Sequence, residues 1–163
     1  MKKTILKRKR ENKTDYRKRI MLLKSRKLRL VIKRSLNNLY AQIIQYDQDG
    51  DKIIASSSSN QLKKYGWKFH RGNIPSAYLT GLLCASKAKE RGVKEAIVDI
   101  GLYKEIKGNA LYAVVKGAID GGLKIACSEE AFPSEDRLYG KHIKGDIQKT
   151  VQEIKEKILK QNG

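Results

Sequence analysis

The stretch from Leu28 to Ser57, LRLVIKRSLNNLYAQIIQYDQDGDKIIASS, decides the fold. Its first seven residues alternate, which predicts a strand with Leu28, Leu30 and Ile32 on one side and Arg29, Val31 and Lys33 on the other. Asn37-Asn38 reads as a turn. Leu39 to Tyr46 forms a second predicted strand, Asp47 to Asp51 a hairpin turn, and Lys52 to Ser57 a third strand. The result is an antiparallel meander with one face mixing basic, polar and aromatic residues. Asp47-x-Asp49-Gly50-Asp51 superficially suggests a calcium loop, but it lacks the Gly at position six and the Glu at position twelve, so the turn reading holds.

Downstream the period changes. Pro75 opens a predicted helix that runs to about Glu90, with Leu79, Leu82, Leu83 and Ser86 on one face, and Gly92 ends it. Glu95 to Gly101 is a short apolar strand. Residues 109–120 form a helix with Leu111, Val114, Val115, Ala118 and Ile119 inward, stopped by Gly121-Gly122. Residues 146–160 carry Ile147, Val151, Ile154 and Ile158 as a narrow stripe, suited to a helix packed across the surface. The expected class is α/β: a three-strand antiparallel meander extended by a further strand, with helices on one face and the other face left for a partner. Three segments are expected: a basic arm with a short helix (1–27), the α/β domain (28–142) and a C-terminal helix (143–163). No internal repeat occurs.

The 163 residues carry 36 Lys and Arg against 17 acids, a formal charge of +19. Self-repulsion on that scale calls for an anionic partner, either nucleic acid or an anionic membrane surface. No apolar run approaches a spanning helix, and neither a signal peptide nor a lipidation motif is evident. A soluble, intracellular chain is therefore expected. The charge is lopsided. Residues 1–34 hold 16 bases against Glu11 and Asp15, a net +14, while the remaining 129 residues hold a net +5. The arm, with Lys7, Arg8, Lys9 and Arg10, has too little apolar surface to order alone and is expected to order on a polyanion. Each phosphate it contacts would release about 0.7–0.9 of a counterion. After it, Thr14 or Asp15 is placed to cap a helix with Tyr16, Ile20 and Leu23 on one stripe and bases on the other faces.

Signs of catalysis are lacking. No Walker loop, dinucleotide fingerprint or nucleophile elbow is present. Asp99, Asp120 and Asp136 are candidates for a two-metal nuclease site, and nothing in their spacing brings the three together. Two cysteines, Cys84 and Cys127, and two histidines, His70 and His142, make neither a disulfide framework nor a zinc site. Cys84 falls in an apolar helical pattern and reads as buried. No enzyme, cofactor or metal is expected. The segment Tyr65-Gly66-Trp67-Lys68-Phe69-His70-Arg71-Gly72-Asn73 mixes aromatics with bases, which suits unpaired RNA bases and phosphates. Trp67 and Phe69 fit either base stacking or a satellite core. His70, Arg71 and Asn73 point to RNA.

Taken in order, several segments resemble a known family, the universal 5S-rRNA-binding protein of the large ribosomal subunit in its archaeal and eukaryotic form (bacterial large-subunit protein eighteen, eukaryotic large-subunit protein five). They are Thr14 to Arg19, Arg29 to Ser35, Tyr40 to Ile44, Gly66 to Leu83, Lys116 to Gly122 and Phe132 to Asp136. The stretch Gly66-Trp67-Lys68-Phe69-His70-Arg71-Gly72-Asn73-Ile74-Pro75 through Leu83 is the longest match, and the similarity covers roughly residues 7–143. The bacterial form typically lacks the Gly-Trp-Lys-x-His-Arg-Gly-Asn segment and the cytosolic eukaryotic form has a long C-terminal extension, so the resemblance implies the archaeal type.

The resemblance further implies a non-enzymatic, cytoplasmic ribosomal role. That role is binding 5S rRNA and attaching it to the large rRNA in the central protuberance, beside neighbouring large-subunit proteins that include a second 5S-binding protein. A generic RNA-binding chaperone without a preferred target is the alternative. Carried onto matching positions, the RNA contacts are Tyr16, Arg17, Arg19, Arg29, Lys33, Arg34, Ser35, Asn37, Tyr40 and Gln42, joined by His70, Arg71 and Asn73. Where the family commonly has Pro-His, this chain has Ala126-Cys127. The run Ser56 to Ser59 has no explanation from sequence.

Overall fold

The computed structural model describes residues 6–11, 13–143 and 146–160. A single helical turn, α1 (Lys7–Arg10), has every side chain exposed. The arm's expected behaviour at residues 1–5 and 12 lies outside the described residues. Helix α2 (Tyr16–Lys24) begins at Asp15, whose carboxylate accepts from the amides of Arg17 and Lys18 and so satisfies two of the free N–H groups at the helix start. Arg26, at φ 54°, turns the chain from this helix into the sheet.

The meander forms as predicted: β1 (Arg29–Arg34), β2 (Leu39–Gln45) and β3 (Lys52–Ser58), paired antiparallel. A fourth strand, β4 (Ile97–Asp99), joins the far side of β1 in parallel, giving the order β3-β2-β1-β4. It is shorter than the predicted 95–101, because Glu95 instead bridges to Lys124 and Gly101 enters a turn at φ 59°. Alternation sets the layers. Leu30, Ile32, Leu39, Ala41, Ile43 and Ala55 face helices and are essentially inaccessible, whereas Lys33, Tyr40 and Gln42 face the other way.

Helix α3 (Ile74–Glu90) packs on β2 and β3, and α4 (Ala110–Asp120) packs on α3. Asn73 caps α3 through its carboxamide oxygen, which accepts from the Ser76 amide at 2.9 Å, and Pro75 lies in the first turn. Asn109 caps α4 in the same way through Tyr112. The two helices touch backbone to backbone. A Cβ on Gly81 would stand 2.0 Å from the Val114 carbonyl oxygen, and one on Gly117 2.0 Å from that of Tyr78. α3 is therefore buried nearly all round and not on one face. The short α5 (Glu135–Leu138) precedes α6 (Ile147–Lys160), which buries Ile147, Val151, Ile154 and Ile158 against the α3 side of the molecule. The stripe is part of the main core, not a surface attachment. Cys84 is buried and approaches the Ala41 carbonyl at 3.4 Å. Among the described residues no helix is long and apolar enough to cross a membrane.

The serine run now has a physical account. Ser57 donates to the Thr80 carbonyl at 2.8 Å and ties β3 to α3. Ser59 accepts from the Leu39 amide at 3.0 Å in a buried position. Ser58 caps the 3-10 helix Ser59–Tyr65, and Ser56 lies 3.5 Å from the Gln42 amide nitrogen on the opposite face. Ser57 and Ser59 are fully buried, whereas Ser56 is exposed on the other face.

Candidate nucleic-acid interface

The face of the sheet turned away from α3 and α4, called helix-free below although α2 reaches its Arg29 end, is read from its register. Lys33, Tyr40 and Ser58 form one cross-strand row, Val31, Gln42 and Ser56 the next, and Arg29, Ile44 and Ile53 the third. The first row lies beside the β1–β2 turn, which closes by hydrogen bonds between Ser35 and Asn38. In that turn Leu36 is 93% exposed and Asn37 is exposed.

The turn meets the His70 loop. A Cβ on Gly72 would stand 3.3 Å from the Leu36 carbonyl oxygen and 2.8 Å from the His70 ring, so a larger residue here would push the ring aside and crowd the turn. The Gly72 amide donates to His70 Nδ1 at 3.1 Å, which puts the ring proton of neutral His70 on Nε2. Arg71 donates to the Asn60 side chain at 2.7 Å. Arg34, Ser35, Asn37, His70, Arg71 and Asn73 are thereby gathered at one end of the face, although more than thirty residues separate the two groups in sequence. Asn73 spends its oxygen on the helix cap and keeps its amide N–H donors.

Trp67 lies elsewhere. It is 3% exposed, stacks edge-on with Phe69 at 5.4 Å between centroids, and donates its indole N–H to the His70 carbonyl. It is a core residue with no face open to a base. The satellite-core reading is the one its surroundings fit, because a large apolar ring gains more from burial than from exposure.

At the opposite end, Arg29 is also not a free cation. Its side chain is 3% exposed, with Nη1 donating to Asp99 at 2.8 Å and Nη2 to Asp51 at 2.7 Å. Its Nε meets no acceptor. Asp51 also accepts twice from Arg19, at 3.0 Å each, which clasps α2 onto the sheet, and Lys18 pairs with Glu105 at 2.9 Å. Burial would raise the Asp51 carboxyl, but hydrogen bonds and charge from Arg29 and Arg19 outweigh it and hold it below the usual carboxylate range. This clasp explains why the α2 stripe differs from expectation. Ile20 is 55% exposed and Met21 72%, whereas Lys18, Arg19, Leu22 and Leu23 are half-buried. The face of the helix that is less exposed is the one that carries the ion-paired Lys18 and Arg19. Arg17 is left exposed and Tyr16 half-buried, while Arg8 and Arg10 stay exposed on α1 with Lys7.

Two residues escaped sequence reading. Tyr103 accepts at its hydroxyl from the Arg34 amide (3.1 Å) and donates to the Arg34 carbonyl (2.7 Å), which holds the end of β1. It sits in an irregular loop with no pattern to mark it. Asp51 was read only as part of a turn. The three carboxylates weighed for catalysis are engaged by different partners: Asp99 by Arg29, Asp120 by Tyr78 and Lys116, and Asp136 by Lys141. Among the described residues no group of acids, cysteines and histidines is placed to hold a metal.

A sheet shielded by helices on one side and presenting cations, amides and an aromatic on the other, with a basic arm beside it, defines a protein shaped to meet a polyanion. Residues 2–93, more than half of the chain, match the family described as ribosomal large subunit proteins 60S L5 and 50S L18, and the chain belongs to that family. It is a large-subunit ribosomal protein that binds 5S rRNA, and its role is non-enzymatic.

Proposed function

We propose that this chain is the archaeal-type member of its family, and that it attaches 5S rRNA to the large rRNA in the central protuberance beside a second 5S-binding protein. The Gly66–Asn73 segment supports the subtype, since the bacterial form typically lacks it. The RNA lies along the helix-free face. Lys33, Arg34, Arg17 and the arm's Lys7, Arg8 and Arg10 take phosphates, which position the RNA without reading sequence. Ser35, Asn37, Tyr40, Gln42, His70, Arg71 and Asn73 meet riboses and unstacked bases. Arg19 and Arg29 contribute by holding α2 and the sheet together, since their guanidinium groups are already paired. The observation that carries this reading is the convergence of the β1–β2 turn on the His70 loop at Gly72.

Photo-crosslinkers placed at Lys33 and Tyr40 in assembled ribosomes are expected to attach to 5S rRNA, whereas attachment only to the large rRNA or to protein refutes the face assignment. Removing residues 1–13 is expected to weaken binding and flatten its salt dependence. Excess tRNA is expected not to displace the protein from 5S rRNA. Displacement favours a chaperone without a preferred target.

A further inference from the structure

Between α2 with its preceding segment and the helix-free sheet face lies a groove of about 850 Å³. Its floor is Val31, Gln42, Ile44 and Ile53 of one sheet face, and Tyr16 and Tyr103 also line it. The volume falls in the range of pockets that enclose small ligands, about 300–1,000 Å³. The charge inside it is compensated. Arg29 is neutralised by Asp51 and Asp99, Arg19 is held by Asp51, and Lys18 by Glu105. A phosphate driven to this depth would meet two carboxylates whose partners are already taken. The uncompensated positive charge sits at the lip, on exposed Lys33 and, on the arm side, Arg8.

We infer that this groove receives a single extruded nucleobase of the bound RNA, with the flanking phosphates held at its basic lip. The inference rests on the reading that the RNA lies on this face. The chemistry agrees at each point. The branched aliphatic floor and the two tyrosines favour a flat uncharged ring. Gln42, on the floor, is a carboxamide able to donate and accept toward a base edge, and its present bond to Ser56 is long at 3.5 Å. The base would also be paid for in part by RNA irregularity, since a nucleotide already unpaired costs least to extrude.

The test uses the full chain bound to 5S rRNA, probed with base-specific reagents covering all four bases. Wild type is expected to shield at least one unpaired base. Val31→Trp fills the groove from its floor, so that base is expected to become reactive again. Affinity is expected to fall about tenfold, with an unchanged salt slope because the phosphate contacts persist. Gln42→Leu keeps the volume and loses the amide, and is expected to weaken shielding of the same base. Should Val31→Trp fail to fold by circular dichroism, Gln42→Leu decides alone. Equal shielding and affinity in wild type and every folded variant overturn the groove assignment while leaving the 5S-binding face intact. A wild-type footprint that also persists after Lys33 and Tyr40 are replaced by alanine overturns the face itself.

Discussion

Replacing Asp51 by alanine tests whether the ion network is what seats α2 on the sheet. The carboxylate serves two guanidinium groups, one almost fully buried (Arg29, 3% exposed) and one about a third exposed (Arg19, 32%). Removing one partner of a buried pair costs about 3–5 kcal/mol when the charge is left alone. Arg29 retains Asp99 at 2.8 Å, so about half of that applies. The more exposed Arg19 contact adds at most about 1 kcal/mol. The expected loss is about 2–3 kcal/mol, read as a lowered urea midpoint at constant m. Amide exchange across Tyr16–Lys24 is expected to accelerate well beyond that of α3, since α2 would be loosened locally. The same carboxylate sets a pH dependence. Its folded value lies below its unfolded one, so its stabilisation is present above about pH 4 and is lost as the pH falls through the folded value. The Asp51→Asn protein is expected to lose less stability than wild type over that acid window. An unfolding free energy within about 0.5 kcal/mol of wild type, together with unchanged exchange in α2, would refute the reasoning and reduce the network to an ordinary surface contact.

Other outcomes follow from the same geometry. Gly117→Ala drives a Cβ to 2.0 Å from the Tyr78 carbonyl oxygen, where backbone must yield; a loss of about 3 kcal/mol is expected, lowering Tm by roughly 10 °C in calorimetry. Burial pushes the Cys84 thiol up to about 11 and raises Cys127 as well, but Cys127 is only half-buried. A thiol reagent at pH 8 is therefore expected to modify Cys127 in the folded protein and Cys84 only on unfolding. Lys33→Ala and Arg34→Ala are each expected to reduce the salt slope of 5S rRNA binding by about 0.7–0.9. Arg29→Met, by contrast, is expected to leave that slope unchanged, since its charge is already neutralised within the protein.

Much of the architecture was legible in one dimension because it rests on local rules. A period of two marks β1–β3, and Pro75, Gly92 and Gly121-Gly122 punctuate the helices. The lopsided charge, +14 within residues 1–34, together with the ordered segments from Thr14 to Asp136, announced a polyanion partner and the family. Tertiary structure decided what those rules leave open. A tryptophan beside bases serves a stack or a core equally well until the packing closes over it, as it does over Trp67. An arginine on the helix-free face is a phosphate ligand or a strut according to which carboxylates reach it. Asp51 and Asp99 reach Arg29 from 22 and 70 residues away. Periodicity records which residues share a side of one element, but charge pairing and steric closure are fixed by contacts between elements. For that reason the rotation of α2, the close approach at Gly72 and the compensated groove exist only in three dimensions.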